Sequence, residues 1–277
     1  MTNNRTAIVS RLEHEATNIR RNVWRALHAA GSGHIGGSLS TADLLSALYF
    51  YHLRIRPEEP NWPDRDRFVL SKGHANAALA AVLARVGFID ENLLDTFYGY
   101  ESPLGMHPDI TVPGVEMSTG GLGHGLAVGL GMACGAELKG QNFHTFVMLG
   151  DGELQEGSNW EAAMAAAHRE CNNLTAIVDC NKIQQSGRVS EILDLGTLAS
   201  KWEAFGWAVR EIEGHDMWAI IDALDDLPYA ENKPSLLIAH TIKGKGTSFA
   251  EDTHVWHNNT VTDAIYQQAL DELKESE

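Results

Sequence analysis

Gly150-Asp151-Gly152 closes one apolar run, and Asn181 stands thirty residues beyond Asp151, just past another. A carboxylate and an amide oxygen are hard donors suited to Mg²⁺ or Ca²⁺. Gly152 keeps side-chain bulk away from the point where a helix amino terminus would meet an anion. Together these residues describe a cation holding a diphosphate, although they also suit a plain strand–turn–helix corner capped by Asp151. Of 13 histidines, His34, His74, His107 and His257 fall in glycine-, proline- or polar-containing loops. Histidine titrates near neutrality and can donate, accept or relay protons. One such histidine is ordinarily a surface or capping residue, whereas four beside a diphosphate site point to catalysis.

Positioning those groups requires strands that end in loops. Thr145 to Leu149 and Leu174 to Asp179 read as buried strands, as do Arg67 to Ser71, Trp207 to Ile212 and Ser235 to Thr241. Helices are expected from Ser10, with Glu13 completing a capping box, to Gly31, and over Thr41–Tyr51, His74–Arg85 and Glu156–Arg169. Three more are expected over Leu195–Phe205, Met217–Leu227 and Val261–Lys274. Strands alternating with helices imply a doubly wound parallel α/β sheet, preferred as one domain over residues 1–277 with an amino-terminal helical segment. Ligands bind beyond the carboxyl ends of such strands, where loops 150–157, 181–188 and 243–259 converge.

Composition narrows the partners. The net charge is −16, so a groove that tracks nucleic-acid phosphates or an anionic membrane is excluded, and bound phosphate must be held locally. No apolar run approaches the roughly 18 residues of a membrane span, and the amino terminus lacks the apolar core of a signal peptide. Cys134, Cys171 and Cys180 have no regular spacing and read as buried free thiols, which fits a reducing cytoplasm. Thirteen of the 26 glycines lie between Gly105 and Gly157. Among them Gly121, Gly125 and Gly129, spaced by four, form a bare helix ridge that suits close approach by another helix, including one from another subunit. A dinucleotide-binding loop is disfavoured there because no strand directly precedes it.

In their order, these motifs resemble the amino-terminal, thiamine-diphosphate-binding region of transketolases. The resemblance runs from Ser32-Gly33-His34 through Ser71-Lys72-Gly73-His74, Gly105-Met106-His107-Pro108 and Ser118-Thr119-Gly120. It continues through Gly150-Asp151-Gly152, Glu156-Gly157, Asn181 and Lys243-Gly244-Lys245-Gly246 to His257. It implies the diphosphate-binding (PP-type) fold, with Asp151, Asn181 and the Ile183 carbonyl as ligands of Mg²⁺ or Ca²⁺. Thiamine diphosphate would lie against Gly120, Leu122, Gly150, Gly152, Glu156, Lys243 and His257. His34, His74, His107 and His257 would surround the reacting ring and the sugar hydroxyls, and Glu156 and Glu161 would lie at an interface between subunits.

The resemblance further implies transfer of a two-carbon ketol unit from a ketose phosphate to an aldose. The pyrimidine-binding domain and its activating glutamate lie beyond this α/β unit, so a separate carboxyl-terminal partner subunit is expected, in an α2β2 assembly. A deoxyxylulose-phosphate-synthase-like condensing enzyme, or a transketolase for an unusual sugar such as apulose phosphate or a sulfo-sugar, is the alternative. Two further readings are a nicotinamide-binding enzyme and a non-catalytic chain that binds cofactor, the latter disfavoured by the histidines. His124, where the family commonly has Gln, and Asn258, where Gly is usual, depart from the pattern.

Overall fold

The computed structural model describes residues 2–274. Five parallel strands form the central sheet: β2 (Arg67–Leu70), β3 (Thr145–Gly150), β4 (Leu174–Cys180), β5 (Ala208–Glu213) and β6 (Ser235–His240), in the order β2-β3-β4-β6-β5. A two-residue ribbon pairs β1 (Ser32–Gly33) with β7 (Asn259–Thr260) in antiparallel fashion. Every expected strand of the sheet is present to within about a residue at each end. The ribbon is too short to leave a hydrophobic period, yet it ties the His34 loop to the His257 loop.

Alternation along the strands builds two cores. Phe146 and Met148 of β3 pack with α1 (Thr2–Ala30), α2 (Gly36–Ser40), α3 (Ala42–Ala47) and α4 (Asn76–Val86). Val147 and Leu149 face the other way, onto α5 (Gly125–Lys139) and α6 (Gly157–His168). The remaining helices are α7 (Val189–Ile192), α8 (Leu198–Ala204), α9 (Met217–Asp225) and α10 (Asp263–Glu272). Helices on both faces are the doubly wound arrangement expected of a parallel sheet. Among the described residues, no helix is long and apolar enough to cross a membrane.

Three expectations change. The first helix starts at Thr2 rather than Ser10, because Val9 continues the buried face formed by Leu12, Ala16, Ile19, Val23 and Leu27. Continuation of the apolar stripe outweighs the Ser10–Glu13 capping pattern. The helix expected from Thr41 begins at Gly36, breaks at Thr41 and ends in a widened π-helical turn, Leu48–His52. The glycine ridge faces this chain's own sheet: a Cβ on Gly125 would stand 2.4 Å from Ser71 Cβ, and one on Gly129 2.3 Å from Val147 Cγ2. Gly121 precedes the helix altogether.

Candidate active site

The sheet ends in a cavity of about 360 Å³ at the carboxyl edge of β3, β4 and β6. It is lined by His34, His74, His107 and His257, by Gly120 and Leu122, and by Gly150, Asp151, Gly152 and Glu156. Asn181, Ile183 and Lys243 complete the set, so every residue singled out for the site from the sequence meets in one hollow. Glu161 is not in the lining and stands exposed on α6. A hollow of about 550 Å³ at the opposite edge, bordered by Glu137, His144, Arg169 and Asn173, gathers none of them.

The charged corner is held by Asp179, which is fully buried. It accepts hydrogen bonds from Ser40 Oγ (2.8 Å), Asn181 Nδ2 (2.8 Å) and Thr241 Oγ1, and pairs with the Lys72 ammonium. Lys72 also donates to the Gly37 carbonyl at 3.0 Å. The Lys72 ammonium keeps the Asp179 carboxyl below its ordinary range despite burial. Asn181 thus spends its nitrogen on Asp179, while its Oδ1 accepts from the Ile183 N–H at 3.2 Å. Asp151 accepts from the Gly152 and Lys182 amides at 2.8 and 2.6 Å. Burial, then the neighbouring Asp179 carboxylate, pushes the Asp151 carboxyl up to about 6.

Lys72 pairs with Asp179 and Lys243 lies within electrostatic reach of both carboxylates; the hard oxygens of Asp151 and Asn181 are the donor types that suit a divalent ion. Among the described residues, no group of three or more His, Cys, Asp or Glu side chains could hold a metal. A metal here would therefore take its remaining oxygens from backbone and a bound anion, as hard cations that keep phosphate ligands do. The Ile183 carbonyl accepts from Lys243 Nζ at 2.6 Å, and the same ammonium lies 2.8 Å from His257 Nδ1. Burial and the nearby Lys72 lower the Lys243 pKa to about 7.

The histidines form a contiguous wall. Ring centroids lie 5.4 Å apart for His34–His74 and His34–His257, 5.2 Å for His74–His257 and 6.1 Å for His34–His107. Burial lowers all four: His34 to about 4, with His107 and Lys243 contributing, and His257 to about 3, with Lys243 and His34 contributing. His74 falls well below the ordinary range through burial and then Lys72, and His107 is lowered by burial. The wall is therefore neutral at physiological pH, with each ring offering one donor and one acceptor. His34 Nδ1 is buried with no hydrogen-bond partner among the described residues. Asn258 Nδ2 stands 3.4 Å from His34 Nε2, while His124 sits exposed at the start of α5.

Lys72, Glu153, Gln155, Gln184 and Gln185 also line the cavity and were not anticipated as site residues. Glu153 is buried and accepts from Ser71 Oγ, Gly123 N (2.9 Å) and Gly150 N (3.0 Å), joining three loops. Its place two residues after Asp151, and that of Lys72 inside Ser71-Lys72-Gly73-His74, were the available signals.

Comparison with known proteins decides the family. Residues 12–273 match the family model described as transketolase, thiamine diphosphate binding domain. The chain belongs to the transketolase family. It is 43% identical over 267 residues to an apulose-4-phosphate transketolase subunit of Phocaeicola vulgatus, covering 96% of this chain and 95% of that protein. It is 42% identical over 264 residues to the 6-deoxy-6-sulfo-D-fructose transketolase subunit SqwG of Clostridium sp., covering 95% of this chain and 96% of the relative. Among solved structures, transketolase from Leishmania mexicana superposes with a TM-score of 0.89 at 29% identity, covering 95% of this chain and 41% of that one. The chain thus spans about two fifths of the length of that solved transketolase, but nearly all of the two relatives named as subunits.

Proposed function

We propose that this chain, acting as one diphosphate-binding unit over residues 1–277, is the amino-terminal subunit of a two-subunit transketolase. The reaction is transfer of a two-carbon ketol unit from a ketose phosphate to an aldose. The observation that carries this reading is the meeting of a cation corner and a neutral histidine wall in one cavity. Relatives of matching length named as subunits support a partner chain that supplies the pyrimidine-binding domain and the activating glutamate. An α2β2 assembly and a cytoplasmic location complete the proposal.

When bound, thiamine diphosphate supplies a carbon nucleophile and an electron sink for cleaving the bond beside a ketose carbonyl. Asp151, Asn181 and the Ile183 carbonyl would hold Mg²⁺ or Ca²⁺. For Ile183, that requires the Lys243 ammonium to yield its carbonyl and turn to the anion. The Gly152 amide would meet the diphosphate, and the Gly120 and Leu122 backbones would lie against the pyrimidine. Glu156 is exposed on the cavity rim, where a partner chain could reach it, as Glu161 is on α6. His34, His74, His107 and His257, being neutral, would donate to a sugar oxygen through one nitrogen and accept a hydroxyl proton through the other. A neutral ring has its lone pair free to take a hydroxyl proton, and its N–H free to hydrogen-bond a sugar oxygen.

The two relatives named for apulose 4-phosphate and 6-deoxy-6-sulfo-D-fructose favour a second reading within the same chemistry, specialisation for an unusual sugar. Asn258, exposed and 3.4 Å from His34 Nε2, is the local feature that bears on that choice. The test is reconstitution with the partner chain, thiamine diphosphate and Mg²⁺, followed by product analysis with a panel of ketose phosphates, a sulfo-ketose and pyruvate. Ketol transfer from a ketose supports the reading, while condensation with pyruvate alone sinks it.

A further inference from the structure

Behind the cavity, a polar chain that is buried at Arg20 and Asp43 and opens toward the surface at Ile242 runs from α1 to the loop that carries Lys243. Arg20 of α1 pairs with Asp43 of α3, and both side chains are less than a tenth exposed. Asp43 Oδ2 also meets His215 Nδ1 at 2.7 Å, and His215 Nε2 meets the backbone N–H of Ile242 at 2.8 Å. His215 lies in the turn between β5 and α9. The hydrogen positions follow from the partners. A carboxylate paired with a guanidinium accepts only, so Nδ1 carries the hydrogen, and Nε2 must present a lone pair to the amide.

The far end of the same loop is gripped by the same arginine. A Cβ on Gly246 would stand 2.9 Å from Arg20 Cδ, so the turn rests against the Arg20 stem. Between these two ends, Gly244 N donates to the Gly36 carbonyl at 3.0 Å, and Asp252 N donates to the Lys243 carbonyl at 2.9 Å. Thr241, one residue before Ile242, reaches Asp179. Lys243 is thus the side chain of a short loop pinned on both sides, and His215 supplies the hydrogen bond immediately before it.

We propose that His215 is a positioning residue: relayed through Asp43 and Arg20, it fixes the Ile242 peptide and so aims Lys243 into the cavity. The claim rests on the reading that Lys243 belongs to the cofactor site. Among the described residues, no other side chain takes the Ile242 N–H. A plain packing role would not need a ring that donates at one end and accepts at the other.

The test uses His215→Ala and His215→Gln, since a glutamine amide also carries one donor and one acceptor and can replace both bonds. In the full chain, amide hydrogen exchange of the segment holding Ile242 is expected to accelerate up to about tenfold in His215→Ala, the scale of one lost hydrogen bond, and to return toward wild type in His215→Gln. In the complex reconstituted with the partner chain, the concentration of Mg²⁺–thiamine diphosphate giving half-maximal activity should rise similarly in His215→Ala. The rate at saturating cofactor should change little, and glutamine should restore the affinity. Wild-type exchange in His215→Ala, unchanged cofactor affinity, or equal losses in both variants each overturns the proposal. A wild-type complex that binds no thiamine diphosphate would instead refute the functional reading, and the exchange rates would still decide whether His215 holds the loop.

Discussion

In the corner around Asp151, Asn181 and Asp179, charge is met by charge: a buried carboxylate takes donors from Ser40, Thr241, Asn181 and Lys72. A few ångströms away, His34, His74, His107 and His257 face one another rather than a carboxylate and lose their charge to burial. The contrast separates two tasks. A site for a divalent cation and an anion needs fixed charges, whose desolvation must be offset by partners in place. A surface that hydrogen-bonds sugar hydroxyl groups and takes a proton from one of them is served by neutral rings, each with one donor and one acceptor. Both are built on loops at one sheet edge, which lets a single fold serve them side by side.

The largest effect should come from removing the carboxylate itself. Asp151→Ala is expected to abolish metal-dependent thiamine diphosphate binding in the reconstituted complex, as read by calorimetry. Retained binding would mean that the charged corner is not the cation site. On the other wall, His74→Ala and His107→Ala should each lower kcat by about 10²–10⁴-fold, the range of a lost acid–base group. Cofactor affinity should move far less. If affinity instead fell as steeply as kcat, the separation of tasks would not hold.

The members of both sets were legible. That Asp151 and Asn181 share one cavity could be read because Gly150-Asp151-Gly152 and Asn181 stand at the ends of strands whose apolar runs are unmistakable. The histidines could be read because ordered short motifs place them in loops. What organises them was hidden: Asp179 reads as the last residue of a strand, Lys72 and Glu153 as polar members of turns, and His215 as a lone loop histidine. Their roles depend on long-range pairing, Lys72 with Asp179 and His215 with Asp43, which no local pattern encodes. The Gly125–Gly129 ridge shows the reverse, a legible feature whose partner was ambiguous. A bare helix face says that something packs closely, and here it is the same chain's sheet, through Ser71 at the end of β2 and Val147 of β3. At the amino terminus, a correct capping pattern was overridden by the apolar stripe through Val9.

Smaller effects sharpen the contrast further. Asp179→Asn leaves the Lys72 ammonium buried without its counter-ion, and a loss of about 3–5 kcal/mol is expected in denaturant unfolding. A near-neutral outcome would show that Lys72 finds another partner. The histidine wall should appear in the pH dependence of stability. His34 and His257 titrate near 4 and 3 in the folded chain but near 6.5 when unfolded. Between those values the unfolded state binds more protons, so stability is present above about pH 6.5 and falls as the pH drops toward 4. Asp151, raised to about 6, acts with the opposite sign, since the folded state holds its proton between about 6 and 4. The histidines outnumber it, and urea unfolding at pH 7 and pH 5 should show a net loss of roughly 1–3 kcal/mol at the lower pH.

The central claim is that this chain contributes a cation corner and a proton-exchanging wall to a site that a second chain completes. The most direct measurement is ketol transfer from a ketose phosphate to an aldose, with thiamine diphosphate and Mg²⁺, by this chain alone, by the partner alone and by both together. Turnover only in the mixture, lost with Asp151→Ala, is the predicted result. Turnover by this chain alone, or a mixture that binds cofactor yet transfers nothing from any ketose, would contradict the account.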